Sequence, residues 1–182
     1  DEPSATTDEA GFFSVSQSDN TEASIVSIGG TDAVTGIELP NFMLTAELNS
    51  DLTKSISVNP LTTLLTQLSD QERQTISNAL AIKDDLEILS TQDHWALAQD
   101  NNETAIAVQQ VSQQIGLLML SSTTLSETTD ADRLMEANLE TARAMAELAD
   151  AGNSIPLDLT TTESVSVILN RVSSAIMPNN TL

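Results

Sequence analysis

The spacing of apolar residues changes character at Asn59-Pro60, and this change constrains the fold more than any other feature of the chain. Asn59 can cap a helix, and Pro60 suits a first helical turn because the N–H that proline lacks would be unpaired there anyway. The leucines that follow recur at the three- and four-residue steps of one helix face: Leu61, Leu64, Leu65 and Leu68. The chain is therefore expected to be helical from residue 59 onward.

Short β-prone runs precede this point, at residues 12–16, 23–28, 42–48 and 54–58, with turn-forming residues between them. In the last run polar and apolar residues alternate, as in a strand with one packed and one wet face. The pattern predicts three or four short strands in a β-rich segment over residues 11–58. Residues 1–10 are small, polar and acidic, and we predict that they form a flexible linker.

Helix-start signals recur after residue 59. Ser69 and Glu72 have capping-box spacing and open a helix that we expect to end near Ile82. Residues 84–89 and 92–99 are expected to form shorter helical pieces. Longer helices are predicted to start at 100–103, at 129–132 and at 160–163, with Gly152 ending the second and Pro178 the third. Their predicted inward faces are Val108, Val111, Ile115 and Leu118; Leu134, Ala137, Ala142, Met145 and Leu148; and Val165, Ile168, Leu169, Val172 and Ile176.

These patterns predict an α+β fold in which the short β segment packs on a bundle of four or five helices over residues 59–182. Residues 11–182 are expected to form one compact domain. Only 2% of the residues are aromatic. The core must therefore be aliphatic, which favours helix packing over an aromatic-rich sandwich.

Charge and composition exclude several partners and chemistries. Six basic residues stand against 27 acidic ones, for a net charge of −21. Nucleic acid is excluded as a partner because phosphate binding needs a basic face, and anionic membrane surfaces are disfavoured for the same reason. The chain has no cysteine and so no disulfide or thiolate chemistry. We also expect it not to be membrane-inserted, because no window approaches 18 consecutive apolar residues.

No pattern of catalytic residues is present. His94, the one histidine, lies at an expected helix start and is interpreted as a surface or capping residue. The chain contains neither a nucleophile-elbow serine motif, a phosphate-binding loop, nor a His-Glu-x-x-His motif. The carboxylate pairs Asp84 with Asp85 and Glu136 with Glu140 are interpreted as parts of solvated faces. We therefore predict a non-catalytic protein.

Calcium is the one cofactor that the sequence leaves open. A calcium loop must offer several oxygens at short range, and the candidates are Asp32, Asp100 and Glu103, with Asp19-Asn20 as a further segment. The alternative is structural: turns at Asp19-Asn20 and Asp32, and a helix cap at residues 100–103.

Three motifs occur in a familiar order: Gly-Gly-Thr-Asp-Ala-Val-Thr-Gly at 29–36, Phe-Met-Leu-Thr-Ala-Glu-Leu at 42–48 and Val-Asn-Pro-Leu-Thr-Thr-Leu-Leu at 58–65. This order resembles a segment that recurs in large bacterial surface and calcium-associated adhesin-type proteins. Residues 93–100 resemble a later stretch of that segment, with His94 in place of a proline and Gln99 in place of a glycine. The resemblance spans about residues 23–120. It implies export, a cell-surface or matrix role and a modular parent protein, and it supplies no catalytic residue.

Three hypotheses follow. The first is an exported, non-catalytic bacterial surface module for adhesion, whose partner is another protein or copies of itself. The second is a subunit of a self-assembling extracellular filament, in which Phe12, Phe13 and Val15 complete a neighbour's sheet, unless this run pairs within its own chain. The third is an enzyme or helper subunit built around carboxylates.

Overall fold

The computed structural model describes residues 3–9, 11–16, 24–32, 36–47, 55–82, 86–126, 130–151 and 157–176. These ranges form an α+β, mostly helical fold, as the sequence predicts, but with two strands and seven helices in place of three or four strands and four or five helices. In chain order they are β1 (Ser24–Ile28), β2 (Met43–Glu47), α1 (Pro60–Thr66), α2 (Asp70–Ala79), α3 (Leu86–Thr91), α4 (His94–Gln99), α5 (Glu103–Ser126), α6 (Ala131–Ala151) and α7 (Thr162–Ile176).

Two of the four predicted strands do not form within these ranges. Residues 12–16 belong to no strand, and both backbone groups of Phe12 bond to Asp8 in a local turn. Residues 55–58 instead lie beside α3, where the Ser57 N–H donates to the Ser90 carbonyl at 2.6 Å. Lys54 lies outside the described residues. Both runs are β-prone, but strand formation depends on a neighbour that offers matching backbone groups, and local sequence does not supply that.

The helix count rises because the short helical pieces are separate elements. α3 and α4 have six residues each. Asp93, the last residue of the connection between them, caps α4: its carboxylate accepts a hydrogen bond from the Ala96 N–H at 2.9 Å. The predicted capping box at Ser69 and Glu72 is confirmed as the start of α2. The Ser69 hydroxyl and N–H bond the Glu72 carboxylate, which lowers the pKa of Glu72 below its ordinary value.

The predicted core faces are confirmed in most positions. All four leucines of the α1 pattern are buried, and they share one apolar cluster with residues from α5, α6 and α7. Val111, Leu148, Val165, Leu169 and Ile176 lie at the margin and are half-buried. The ends predicted at Gly152 and Pro178, and the first residue of the predicted start at 129–132, lie outside the described residues. Within them Asp130 caps α6 by accepting from the Asp132 N–H at 3.0 Å.

The Asn59-Pro60 corner is confirmed. The Asn59 side chain accepts from the Thr62 N–H at 3.0 Å, and the Asn59 N–H donates to the Thr62 hydroxyl at 2.9 Å, a reciprocal capping box. Gly116 of α5 allows a close approach here, because a Cβ at that position would lie 3.1 Å from Cγ of Pro60. The start of α1 is therefore seated directly on α5.

One threonine joins this corner to the sheet. Thr63 of α1 is buried, and its hydroxyl accepts from the Thr45 N–H of β2 at 2.8 Å. The single hydroxyl hydrogen lies within reach of two carbonyl oxygens, that of Thr45 at 3.1 Å and that of Asn59 at 2.9 Å. From the other side, the Asn138 amide of α6 donates to the Met43 carbonyl at 3.0 Å. Helix side chains thus supply the hydrogen bonds that a third strand would otherwise supply.

We expect Thr63→Val to lower the free energy of unfolding by about 1–3 kcal/mol, because it keeps the shape of the side chain but leaves the buried Thr45 N–H without a partner. Thr75→Val is the matched control, since the Thr75 hydroxyl only bonds back to the Gln71 carbonyl of its own helix. Urea unfolding curves of both variants measure the difference. Equal stability of the two would contradict the role assigned to Thr63.

Candidate interaction surface

The two-stranded sheet has one edge whose backbone groups have no partner in the described ranges. The strands are antiparallel, with Ser24 opposite Glu47 and Ile28 opposite Met43. The Gly29 N–H donates to the Phe42 carbonyl at 2.8 Å, so odd-numbered residues of β1 turn their backbone groups toward β2. The backbone groups of Ser24, Val26 and Ile28 therefore point away from the sheet. We call these three residues the β1 outer edge.

No hydrogen bond joins the β1 outer edge to any other described part of the chain. Its two apolar side chains are also exposed, Val26 to 46% and Ile28 to 58%. Their cross-strand neighbours, Thr45 and Met43, are buried against the helices. A strand edge that combines free backbone groups with exposed apolar side chains is a template for adding another strand.

The opposite edge of the sheet is closed. Met43 and Thr45 turn their backbone groups away from β1, and these groups bond to Asn138 and Thr63. A strand added to the sheet would have to displace both side chains and uncover the helical core behind them. The sheet can therefore accept a new strand on one side only.

The loop between the strands contains glycines with positive φ angles. Gly29 has φ of 73° and Gly36 has φ of 69°, both in the region that favours glycine. A Cβ at Gly29 would also lie 3.3 Å from the Pro40 carbonyl oxygen. Thr31 and Glu38 pair as an isolated bridge. Residues 33–35 of the motif lie outside the described residues.

The predicted interaction residues of the N-terminal run lie on the surface. Phe12 is 63% exposed, Val15 is 39% exposed, and Phe13 is half-buried. The Asp8 carboxylate accepts from the Phe12 N–H at 2.9 Å, and the Asp8 N–H donates to the Phe12 carbonyl at the same distance. This turn occupies one side of the run at its start. The assignment of the run as a donor strand for a neighbour stays a prediction.

The three predicted calcium ligands lie in separate structural settings. Asp32 is in the β1–β2 loop, where its N–H donates to the Ile37 carbonyl at 2.9 Å. Asp100 ends α4, and Glu103 is in the first turn of α5, which Asn102 caps. No group of three or more histidine, aspartate or glutamate side chains gathers in the ranges that the structure describes. Asp19-Asn20 lies outside those ranges, and calcium binding stays a prediction.

His94 does not lie on the surface, and the interpretation of it as a surface or capping residue is wrong. It is the first residue of α4 and only 3% exposed, while the cap is Asp93. Neither ring nitrogen of His94 has a hydrogen-bond partner among the residues that the structure describes. Burial follows from the packing of α4 against α5, which the sequence around one histidine does not reveal.

The described carboxylates of the possible acid–base pairs are either paired with an arginine or exposed. Glu140 forms an ion pair with Arg143 at 2.7 Å, three residues along the same helix, and Glu136 is exposed. Asp84 and Asp85 lie outside the described residues. Asp158 has a lowered pKa because the hydroxyl and N–H of Thr160 both bond to its carboxylate in the turn before α7.

Sequence reasoning missed the residues that define this surface. Val26 and Ile28 were assigned only to a generic strand, and Thr63 and Asn138 were not singled out. One signal was present: residues 24–28 carry no charge to discourage edge pairing, although 27 of the 182 residues are acidic.

Comparison with known proteins finds no family model that matches the chain, and no similar curated protein or solved structure. None of the helices in the described ranges combines the length and the apolar character needed to cross a membrane.

We expect His94→Leu to raise the free energy of unfolding by about 1–2 kcal/mol, because it removes two buried nitrogens that lack partners in the described part of the chain. His94→Gln, which keeps a polar group at the site, is the control and is expected to give no such gain. Thermal melts followed by circular dichroism compare the two. A loss of stability in His94→Leu alone would mean that the ring nitrogens are bonded in solution.

Proposed function

We propose that this chain is a non-catalytic interaction module of an exported bacterial cell-surface or matrix protein. The observation that carries the proposal is the β1 outer edge, through which the module binds a protein segment as an added strand. Main-chain hydrogen bonds to Val26 and Ile28 give affinity in this mode, and pockets for alternate side chains give specificity.

Three further features support the proposal. The motif order over residues 29–65 resembles that of bacterial surface and adhesin-type proteins. The net charge of −21 suits a protein that works in salty surroundings, where repulsion between acidic groups is screened. Ion pairs such as Arg171 with Glu147 at 2.5 Å lie on the surface, and the six basic residues are too few to pair with most of the 27 acidic ones.

A second candidate function is a subunit of an extracellular filament. The observation that favours it is the state of residues 12–16, which are β-prone, largely exposed and in no strand. In this case the partner of the module is another copy of the chain.

Export is tested on intact cells of the source strain with an antibody against the module. Because the module belongs outside the cell, we expect brief protease treatment of intact cells to remove the antibody signal. A periplasmic or cytoplasmic marker must survive the same treatment. Protection of the module until lysis would refute the surface assignment.

Binding through the sheet edge is tested with the labelled, purified chain on the same cells. Val26→Pro removes an outward N–H from the β1 outer edge, a position where a sheet tolerates proline. We expect at least a tenfold loss of cell binding. The control is Val167→Ser in α7, which removes an exposed apolar side chain far from the sheet in sequence. Serine is used there because proline would break the helix. Equal loss in both variants would contradict binding through the edge.

A further inference from the structure

We propose that the β1 outer edge is filled by residues 12–16 of a second copy of this chain, which adds to the sheet as an antiparallel strand. The inference rests on the proposed function and names the partner of its binding edge. It assigns a donor surface and an acceptor surface to the same chain, so that each copy can use both.

Charge favours a second copy through these two segments. Copies with a net charge of −21 repel one another, so a contact between them needs surfaces free of carboxylates. β1 is Ser-Ile-Val-Ser-Ile, and residues 11–16 are Gly-Phe-Phe-Ser-Val-Ser, both without a charged side chain. Residues 12–16 also match the five residues of β1 in length, and both segments expose apolar side chains.

The hydrogen bonds of the run decide which side of it can pair. The N–H and carbonyl of Phe12 are both bonded to Asp8. In an extended strand the backbone groups of Phe13 and Val15 point to the opposite side from those of Phe12. No hydrogen bond joins the backbone of Phe13 or Val15 to another described residue. As far as the described residues go, the backbone groups of Phe13 and Val15 are therefore available for pairing.

One antiparallel register pairs the outward backbone groups of both strands and brings their apolar side chains together. It sets Val15 opposite Val26 and Phe13 opposite Ile28, each as a pair that exchanges two backbone hydrogen bonds. Directly opposite residues share a face, so the two donor side chains cover the two exposed apolar side chains of the β1 outer edge. A shift by two residues in either direction leaves Val26 or Ile28 without an apolar neighbour.

The closed opposite edge gives the association a direction. Thr63 and Asn138 occupy the backbone groups of β2, so each sheet accepts one strand and each chain donates one. Such a contact is heterologous and forms either a closed ring or an open polymer. Self-association is expected to grow with salt, since a change from 0.1 to 1 M salt shortens the Debye length from about 10 to about 3 Å.

The test uses two full-length variants, Val15→Pro in the donor run and Val26→Pro in the acceptor edge. In 1 M salt we expect the unaltered chain to exceed its monomer mass of 19.3 kDa in light scattering, increasingly with concentration. Each variant alone is expected to be a monomer. Their equimolar mixture is expected to reach twice the monomer mass and stop, because one good donor then meets one good acceptor.

A monomeric mixture, or a monomeric unaltered chain, would overturn the inference. Pairing of the run within its own chain would give that result. The proposed function would survive it if Val26→Pro still lost binding to cells while Val15→Pro kept it, since the partner would then be a different protein. If both variants bound cells as well as the unaltered chain, the proposed function would be refuted instead.

The register has its own test, which does not depend on proline. Because the chain lacks cysteine, single cysteines can be introduced without competing thiols. Oxidation of mixed Val15→Cys and Val26→Cys chains is expected to give a disulfide-linked dimer, as the facing Cα atoms would lie about 5.5 Å apart. Ser14→Cys with Val26→Cys is the control, because Ser14 faces the other side of the strand. Equal cross-linking of both pairs would overturn the register.

Discussion

The junction between the sheet and the helices depends on the Thr63 hydroxyl. It lies between the Thr45 backbone of β2 and the Asn59 carbonyl of the helix cap, within 3.1 Å of all three groups. A two-stranded sheet is marginal by itself and needs a helix packed against it. Thr63 provides that support with polar groups as well as packing, because it satisfies a backbone N–H that burial would otherwise leave unpaired.

This junction also explains why the two edges of the sheet differ. The β2 edge faces α1 and α6, whose side chains take the place of a neighbouring strand. The β1 edge has no such cover in the described residues and exposes two apolar side chains. The helical core thus stabilises one edge and leaves the other uncovered within the described residues. An asymmetric sheet of this kind suits a module that binds through strand addition at one site.

The acidity of the chain bears on binding rather than on the fold. The core is aliphatic and includes residues from α1, α2, α5, α6 and α7, without a charged side chain among its buried members. The carboxylates therefore lie mainly on the surface, where they oppose contact between copies. Residues 11–16 and β1 interrupt that pattern. A contact between copies through these neutral segments would strengthen with salt, because salt screens the repulsion between the surrounding carboxylates.

The amino-acid sequence by itself determined the helical half of the fold. The caps at Asn59 and Ser69 and the apolar spacing from Leu61 to Val172 are local signals, which act over three or four residues along the chain. Only the tertiary structure decided which β-prone runs became strands, where His94 lies and which sheet edge is free. Strand pairing and burial depend on contacts between residues distant in sequence, such as Asn138 with Met43, and no local pattern encodes those partners.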